Sequence, residues 1–205
     1  MRLTFISPAD LTPEQRPLYE DMKAGISAKY TTFTTMSDDG TILGPWSAWL
    51  HEPELGTAIW GVTKAMTRFR HLPEVSRQIV ILVVGAHFRA AYEIYAHSAV
   101  ARAAGISEAQ IATITSGHRP LDLSEEAQTA YDVAAALLNG GVLAAPAYQR
   151  AIDLFGQPGV NELIYLVGHY CFVSITLNGF DIPVPDGGSP SAESLHQIRQ
   201  LKTPS

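Results

Sequence analysis

The stretch PEVSRQIVILVVGAHFRAAYEIYAHSAVARAA, residues 73–104, decides how the rest of the chain is read. It opens with Pro73 and Glu74 and closes before Gly105, as helices do when proline sits in the first turn and glycine follows the last. Its first half is ambiguous, because residues 79–84 are β-branched enough to pass for a buried strand. Ala, Arg, Glu and Leu flank that run, and no turn chemistry closes it off. The stretch therefore reads as a buried helix, broken around residues 85–89.

On both sides of this stretch the same punctuation yields helix after helix. Thr12-Pro13-Glu14-Gln15 combines a capping hydroxyl, an early proline and a glutamine three residues after the cap, so a helix starts there and is expected to stop near Gly25. Residues 26–53 read as a long ordered loop, with Thr31 to Thr35 resembling a strand, a turn at Ser37-Asp38-Asp39-Gly40, and Gly44-Pro45 leading into Trp46 and Trp49. Over residues 54–69, Ile59, Val62, Met66 and Phe69 recur at helical spacing and are expected to face the core. Ser107 begins a helix to about Thr115, Ser124 one that ends at Asn139-Gly140, and Pro146 one that ends at Gly156. Residues 161–178 make a last apolar helix stopped by Gly179, before a linker from Val184 to Pro190. The expectation is a single all-α domain over residues 1–185 and a C-terminal tail over 186–205.

Composition narrows the function classes. The 205 residues carry a net charge of −6 and are 46% hydrophobic, enough for one domain that buries roughly 70% of its unfolded surface. Only 17% are charged, against about 25% in ordinary soluble proteins. Apolar residues 163–177 and the grouping of Trp46, Trp49 and Trp60 add to the excess, so a homo-oligomer is expected, with Trp46 loops near neighbouring subunits and a site completed by a second chain. Cys171, the only cysteine, excludes a disulfide framework, a CxxC pair and a zinc site of several thiolates. There is no apolar leader behind a basic start, and the longest apolar run, residues 79–86, is too short to cross a bilayer. A cytoplasmic protein with no membrane partner is expected. Apart from Arg68, Arg70 and His71 no basic cluster occurs, so no nucleic acid is expected either. Small-molecule chemistry or protein contact remains.

For chemistry the first candidates are Glu93 and His97, four apart on one helix and hence neighbours. A carboxylate there holds an imidazole in one tautomer and favours its protonated form, as a general acid requires. Arg89 lies four residues earlier, and by spacing alone Arg89–Glu93–His97 is a salt-bridged solvent face. The apolar setting speaks for a buried pair instead, which is costly without a task. His51, His71 and His87 share no ligand spacing with His97, and neither HExxH nor DxD occurs, so no metal is expected. Without GxGxxG, GKS or GKT there is no phosphate loop, and without GxSxG no serine elbow. Cys171 reads as a small buried residue rather than a nucleophile.

Several segments resemble the carboxymuconolactone decarboxylase family of the alkylhydroperoxidase D-like superfamily. They are Gly44-Pro45 leading to His51 through Leu55, Leu72-Pro73 with residues 77–84, and Tyr92-Glu93-x3-His97 followed by Ala101 through Ser107. Glu162-Leu163-Ile164 through Tyr170 and Asn178 through Pro183 complete the likeness, which covers roughly residues 10–185. The resemblance implies an all-helical bundle assembled as a trimer or hexamer. It also implies a carboxy-lyase with no cofactor, acting on a small carboxylated lactone or a related intermediate of aromatic breakdown. In that reading His97 is the acid or oxyanion donor, Glu93 orients it, Trp46 and Tyr92 form apolar wall, and Arg70 or Arg89 receives the substrate carboxylate. The superfamily's peroxidase branch has Cys-x2-Cys-x3-His here with an upstream glutamate. This chain has Ala90, Glu93 and, at the glutamate position, Gln78, so thiol peroxidase chemistry is not expected. Two alternatives stand beside the lyase: a non-catalytic oligomeric binding or scaffold protein, and another lyase, isomerase or hydrolase built on the Glu93–His97 pair.

Overall fold

Arg89 adopts a left-handed backbone, φ 52°, and there the long apolar stretch divides in two. The computed structural model describes residues 2–185, and the described elements are all helical. They are α1 (Arg16–Lys29), α2 (Pro45–Trp49), α3 (Pro53–Met66), α4 (Glu74–Phe88), α5 (Ala91–Ala103), α6 (Glu108–Thr115), α7 (Glu125–Leu138) and α8 (Ala145–Gly179). The α4–α5 break falls where the sequence placed it, and α5 folds back so that His97 meets Gln78 across the pair.

Two apolar clusters hold the helices together. In the first, the β-branched run of α4, Ile79 through Val84, packs against α7 and α8 with Ala130, Val133, Leu163 and Leu166. A buried run of this kind contributes about 2 kcal/mol per large side chain through removal of apolar surface from water. The second cluster is aromatic and lies at the other end of α5, with Tyr19, Trp46, Trp49, Trp60 and Tyr92 all buried.

Four expectations need correction. The first helix continues through Gly25 to Lys29, because Gly25 is a point of close approach rather than a stop: a Cβ there would lie 2.6 Å from the Trp60 ring. Within the expected loop, Pro45–Trp49 forms a helical turn, and the strand-like threonines yield only a single bridge between Met36 and Ile42. On α3 the inward residues are Gly56, Trp60 and Thr63, while Val62 is 48% exposed. Periodicity identifies a face, but it was the smallness of Gly56, whose Cβ would lie 2.2 Å from the Trp49 carbonyl oxygen, that chose the packed one. Finally, the helix begun at Ala145 does end at Gly156, φ 64°, as expected, but the last helix resumes at once with Pro158 in its first turn instead of at residue 161, so α8 is two helices joined across a kink. The expected tail, residues 186–205, lies outside the described residues.

A buried carboxylate fixes the approach to α4. Glu162 on α8 accepts hydrogen bonds from the backbone N–H groups of Arg70, His71 and Leu72, at 2.9, 2.9 and 2.8 Å. The segment between α3 and α4 is thereby tied to α8.

Candidate active site

Glu93 and His97 lie on the face of α5 that packs against α4, 3% and 8% exposed. Gly85 makes room for them, since a Cβ at that position would come within 3.3 Å of Glu93 Cγ. His97 Nε2 is 3.3 Å from Glu93 Oε1, within ion-pair range, although Oε1 is buried and has no well-aligned hydrogen bond. The other ring nitrogen, Nδ1, lies 2.8 Å from Gln78 Oε1, and Gln78 Nε2 donates to Glu74 Oε1 at 2.7 Å. Tyr170 closes the back of the imidazole with a perpendicular ring at 5.1 Å.

Burial dominates the electrostatics. It pushes the Glu93 carboxyl up to about 8 and the His97 imidazole down to about 3, so both are neutral near pH 7. The expectation that Glu93 holds an imidazolium is thereby reversed: with almost no water available, desolvation outweighs attraction between the partners. The solvent-face arrangement does not form. Arg89 is exposed at the α4–α5 break, away from the pair.

Beside His97 opens a cavity of about 420 Å³, walled by Tyr30, Phe69, Arg77, Gln78, His169 and Tyr170, with Lys29 among its lining. Arg77 is committed: its Nη1 donates to Met66 O at 3.1 Å, its Nη2 to Phe69 O at 3.0 Å, and its Nε lies 3.3 Å from Glu74 Oε2. It ties the C-terminal end of α3, where carbonyls lack helical partners, to the first turn of α4. His169 Nε2 sits 3.3 Å from Thr63 Oγ1, whose hydroxyl donates to Ile59 O, and burial pushes this imidazole down to about 4.

A second, smaller space of about 30 Å³ adjoins Glu93 and is lined by Phe33, Trp46, Trp49 and Tyr92. Trp46 and Tyr92 are therefore brought to the pair, although in this aromatic slot rather than in the larger cavity. The indole N–H groups of Trp46 and Trp49 are buried without partners. Gly44, φ 69°, passes so close to Tyr92 that a Cβ would lie 2.5 Å from the phenol ring.

Arg70 and Arg89 are not brought to either space; both side chains are exposed. The cations on the cavity are Arg77 and Lys29, which sequence reasoning passed over along with Glu74, His169 and Tyr170. A signal existed for one group. Glu74, Arg77 and Gln78 stand at positions i, i+3 and i+4 of an otherwise apolar helix, a polar corner that spacing alone would have exposed. Cys171 is half-buried, and burial pushes its thiol up, away from nucleophilic use. Among the described residues no group of three or more His, Cys, Asp or Glu side chains could hold a metal ion.

The sequence profile of the carboxymuconolactone decarboxylase family matches residues 53–136, from the first residue of α3 into α7. Glu74, Gln78, Glu93 and His97 all lie inside that interval. Over that interval the chain matches the carboxymuconolactone decarboxylase family. No curated protein matches this chain by sequence. Among solved structures it is similar to the debrominase Bmp8 in its apo form, with a TM-score of 0.70 and 12% identity over 94% of this chain and 96% of that one. A cysteine-to-alanine variant of Bmp8 in complex with 2,3,4-tribromopyrrole superposes with a TM-score of 0.69 and 12% identity over 97% of each chain. At that identity the likeness is one of fold, shared over nearly the whole length of both chains.

Proposed function

We propose that this protein is a member of the carboxymuconolactone decarboxylase family and a lyase of the decarboxylase type, acting on a small carboxylated lactone or a related ring-cleavage product with its own side chains as acid and base. The observation that carries the reading is His97 on the wall of a cavity of about 420 Å³, a volume within the range of small-molecule sites, with its neutral partner Glu93 3.3 Å behind it on the aromatic slot. Decarboxylation breaks the carbon–carboxylate bond and leaves its electron pair on carbon, where a conjugated lactone carbonyl delocalises it. The site must then supply a hydrogen-bond donor to that carbonyl oxygen and a proton to carbon. The Glu93–His97 pair holds such a proton out of water. Lys29 and Arg77 are the cations nearest to hand for the substrate carboxylate. Their commitment to carbonyls, Lys29 to Thr67 O and Arg77 to Met66 O and Phe69 O, leaves a dispersed rather than a locked grip.

The open cavity beside the pair supports catalysis over a non-catalytic scaffold, in which side chains would fill the space. Carbon dioxide release and incorporation of solvent deuterium at carbon, measured with a panel of carboxylated lactones, test the proposal. The expected result is turnover by the wild type that falls roughly 10²–10⁴-fold in His97→Gln. Full activity in a folded His97→Gln protein, or no turnover of any carboxylated lactone, overturns it.

A further inference from the structure

The hydrogen bonds around His97 have only one consistent direction. The Glu74 carboxylate, 56% exposed in its side chain and 3.3 Å from the Arg77 guanidinium, accepts and has nothing to donate. The atom of Gln78 that faces it at 2.7 Å is therefore the amide nitrogen. That leaves Gln78 Oε1 turned towards His97 Nδ1 at 2.8 Å, and an amide oxygen can only accept, so the hydrogen is on Nδ1. A neutral imidazole so held has a bare Nε2, and Nε2 is the atom 3.3 Å from Glu93 Oε1.

We propose that Gln78, held by Glu74, is a positioning residue that fixes His97 as its Nδ1–H tautomer and so places the transferable proton of the pair on Glu93. The alternative, a Glu93 carboxylate facing an imidazolium, needs groups to stabilise charge that the site does not offer. Glu93 Oε1 is buried with no hydrogen bond from any N–H, and Arg77 is already engaged by Glu74 and two backbone carbonyls. Lys29, on the same cavity as His97, is engaged by Thr67 O at 3.2 Å; the remaining titratable groups facing the pair are Tyr30 beyond α1, Tyr92 on α5, and His169 and Tyr170 on α8. Burial keeps the three phenols protonated and the second imidazole uncharged near neutrality, so none supplies a counter-charge. In the lyase reading, on which this assignment of roles rests, Glu93 is the proton reservoir: its proton passes by way of His97 Nε2 to the substrate carbon as carbon dioxide leaves, so that the step ends with a Glu93 carboxylate beside a neutral imidazole and is reset by a proton from solvent. A Gln78 carbonyl thus does for tautomer selection what a carboxylate does beside many catalytic histidines, without adding a charge that would turn the ring into an imidazolium.

Nitrogen NMR of the intact protein labelled with ¹⁵N-histidine tests this, with the His97 signals identified by their loss in His97→Gln. The expected wild-type spectrum at pH 7 shows a protonated Nδ1 and a bare Nε2. In Gln78→Leu, which removes the acceptor while keeping apolar bulk, the protonated and bare shifts should exchange or average. Glu74→Ala, which frees the Gln78 amide to rotate, should move them in the same direction by less, and serves if Gln78→Leu does not fold. A wild-type His97 with Nε2 protonated, or with both nitrogens protonated, overturns the proposal, as does an unchanged tautomer in a folded Gln78→Leu protein. No substrate is needed. An inactive protein with the expected spectrum therefore sinks the lyase reading alone, and an active one with the opposite tautomer sinks this inference alone.

Discussion

Glu93 binds its proton more tightly in the folded chain than in the unfolded one, and His97 binds its proton less tightly. Stability must therefore fall as pH rises from 4.5, the ordinary value for Glu93, towards about 8, its folded one. It must also fall as pH drops from 6.5, the ordinary value for His97, towards about 3. Between about 4.5 and 6.5 the two slopes oppose each other and the contribution of the pair is level. From there up to about 8, and down to about 3, one uncompensated proton changes stability by about 1.4 kcal/mol per pH unit. Urea unfolding across pH should show the plateau, and Glu93→Gln should flatten its alkaline side; an alkaline slope that survives the substitution belongs to another group. At Cys171 the expectation is silence: Cys171→Ser should keep wild-type turnover and show no dithiol-dependent peroxide consumption, and thiol-dependent activity lost with it would make this cysteine a nucleophile. The pairing of Glu93 with His97 was legible because spacing of four along one helix needs no tertiary information. Their charge state was not, because it depends on α4 and α8 closing over them. For the same reason Arg70 and Arg89 looked as eligible as Arg77, whose position at the cavity depends on where the end of α3 comes to rest.

Helix ends were readable wherever a local side chain does the capping. Ser107 with Gln110 forms the capping box that begins α6, and Ser124 accepts from Ala127 N to begin α7. The break at Gly156 was readable from its glycine, although the restart at Pro158 was placed three residues late; Gly25, where distant packing decides, looked like a stop and is not one. Gly44 is legible in type but not in consequence. Its positive φ already disfavours a side chain, and the Tyr92 ring occupies the space a methyl would take. Gly44→Ala should destabilise the protein by about 2 kcal/mol and perturb the near-ultraviolet signal of the aromatic slot; a variant as stable as wild type would show that the Gly44–Tyr92 approach is easily relaxed. Glu162→Ala strands three backbone N–H groups at once. It should cost about 3 kcal/mol in chemical denaturation, and a loss below about 0.5 kcal/mol, the scatter of surface substitutions, would mean that water replaces the carboxylate.

Across the whole molecule, the expected self-association needs a different surface from the tryptophans that suggested it. Trp46, Trp49 and Trp60 are 5%, 4% and 1% exposed inside a single chain, so their side chains are not left over to cover a neighbour. Leu55 and Val62 on α3 and Tyr165, Phe172 and Ile175 on α8 are large apolar side chains left uncovered. We propose that copies associate through them. Light scattering should give a multiple of 22.2 kDa, reduced in a Phe172→Lys, Ile175→Lys double variant; a concentration-independent monomer overturns the proposal. The three contacts of Glu162 also set an order of assembly. They close separations of 90 to 92 residues, whereas His97 meets Gln78 across only 19. Short closures lose less chain entropy and form earlier. On that ground the contact between His97 and Gln78 is expected to form before α8 docks over it. Glu162→Ala should accordingly hasten unfolding in stopped-flow measurements while leaving the refolding rate nearly untouched.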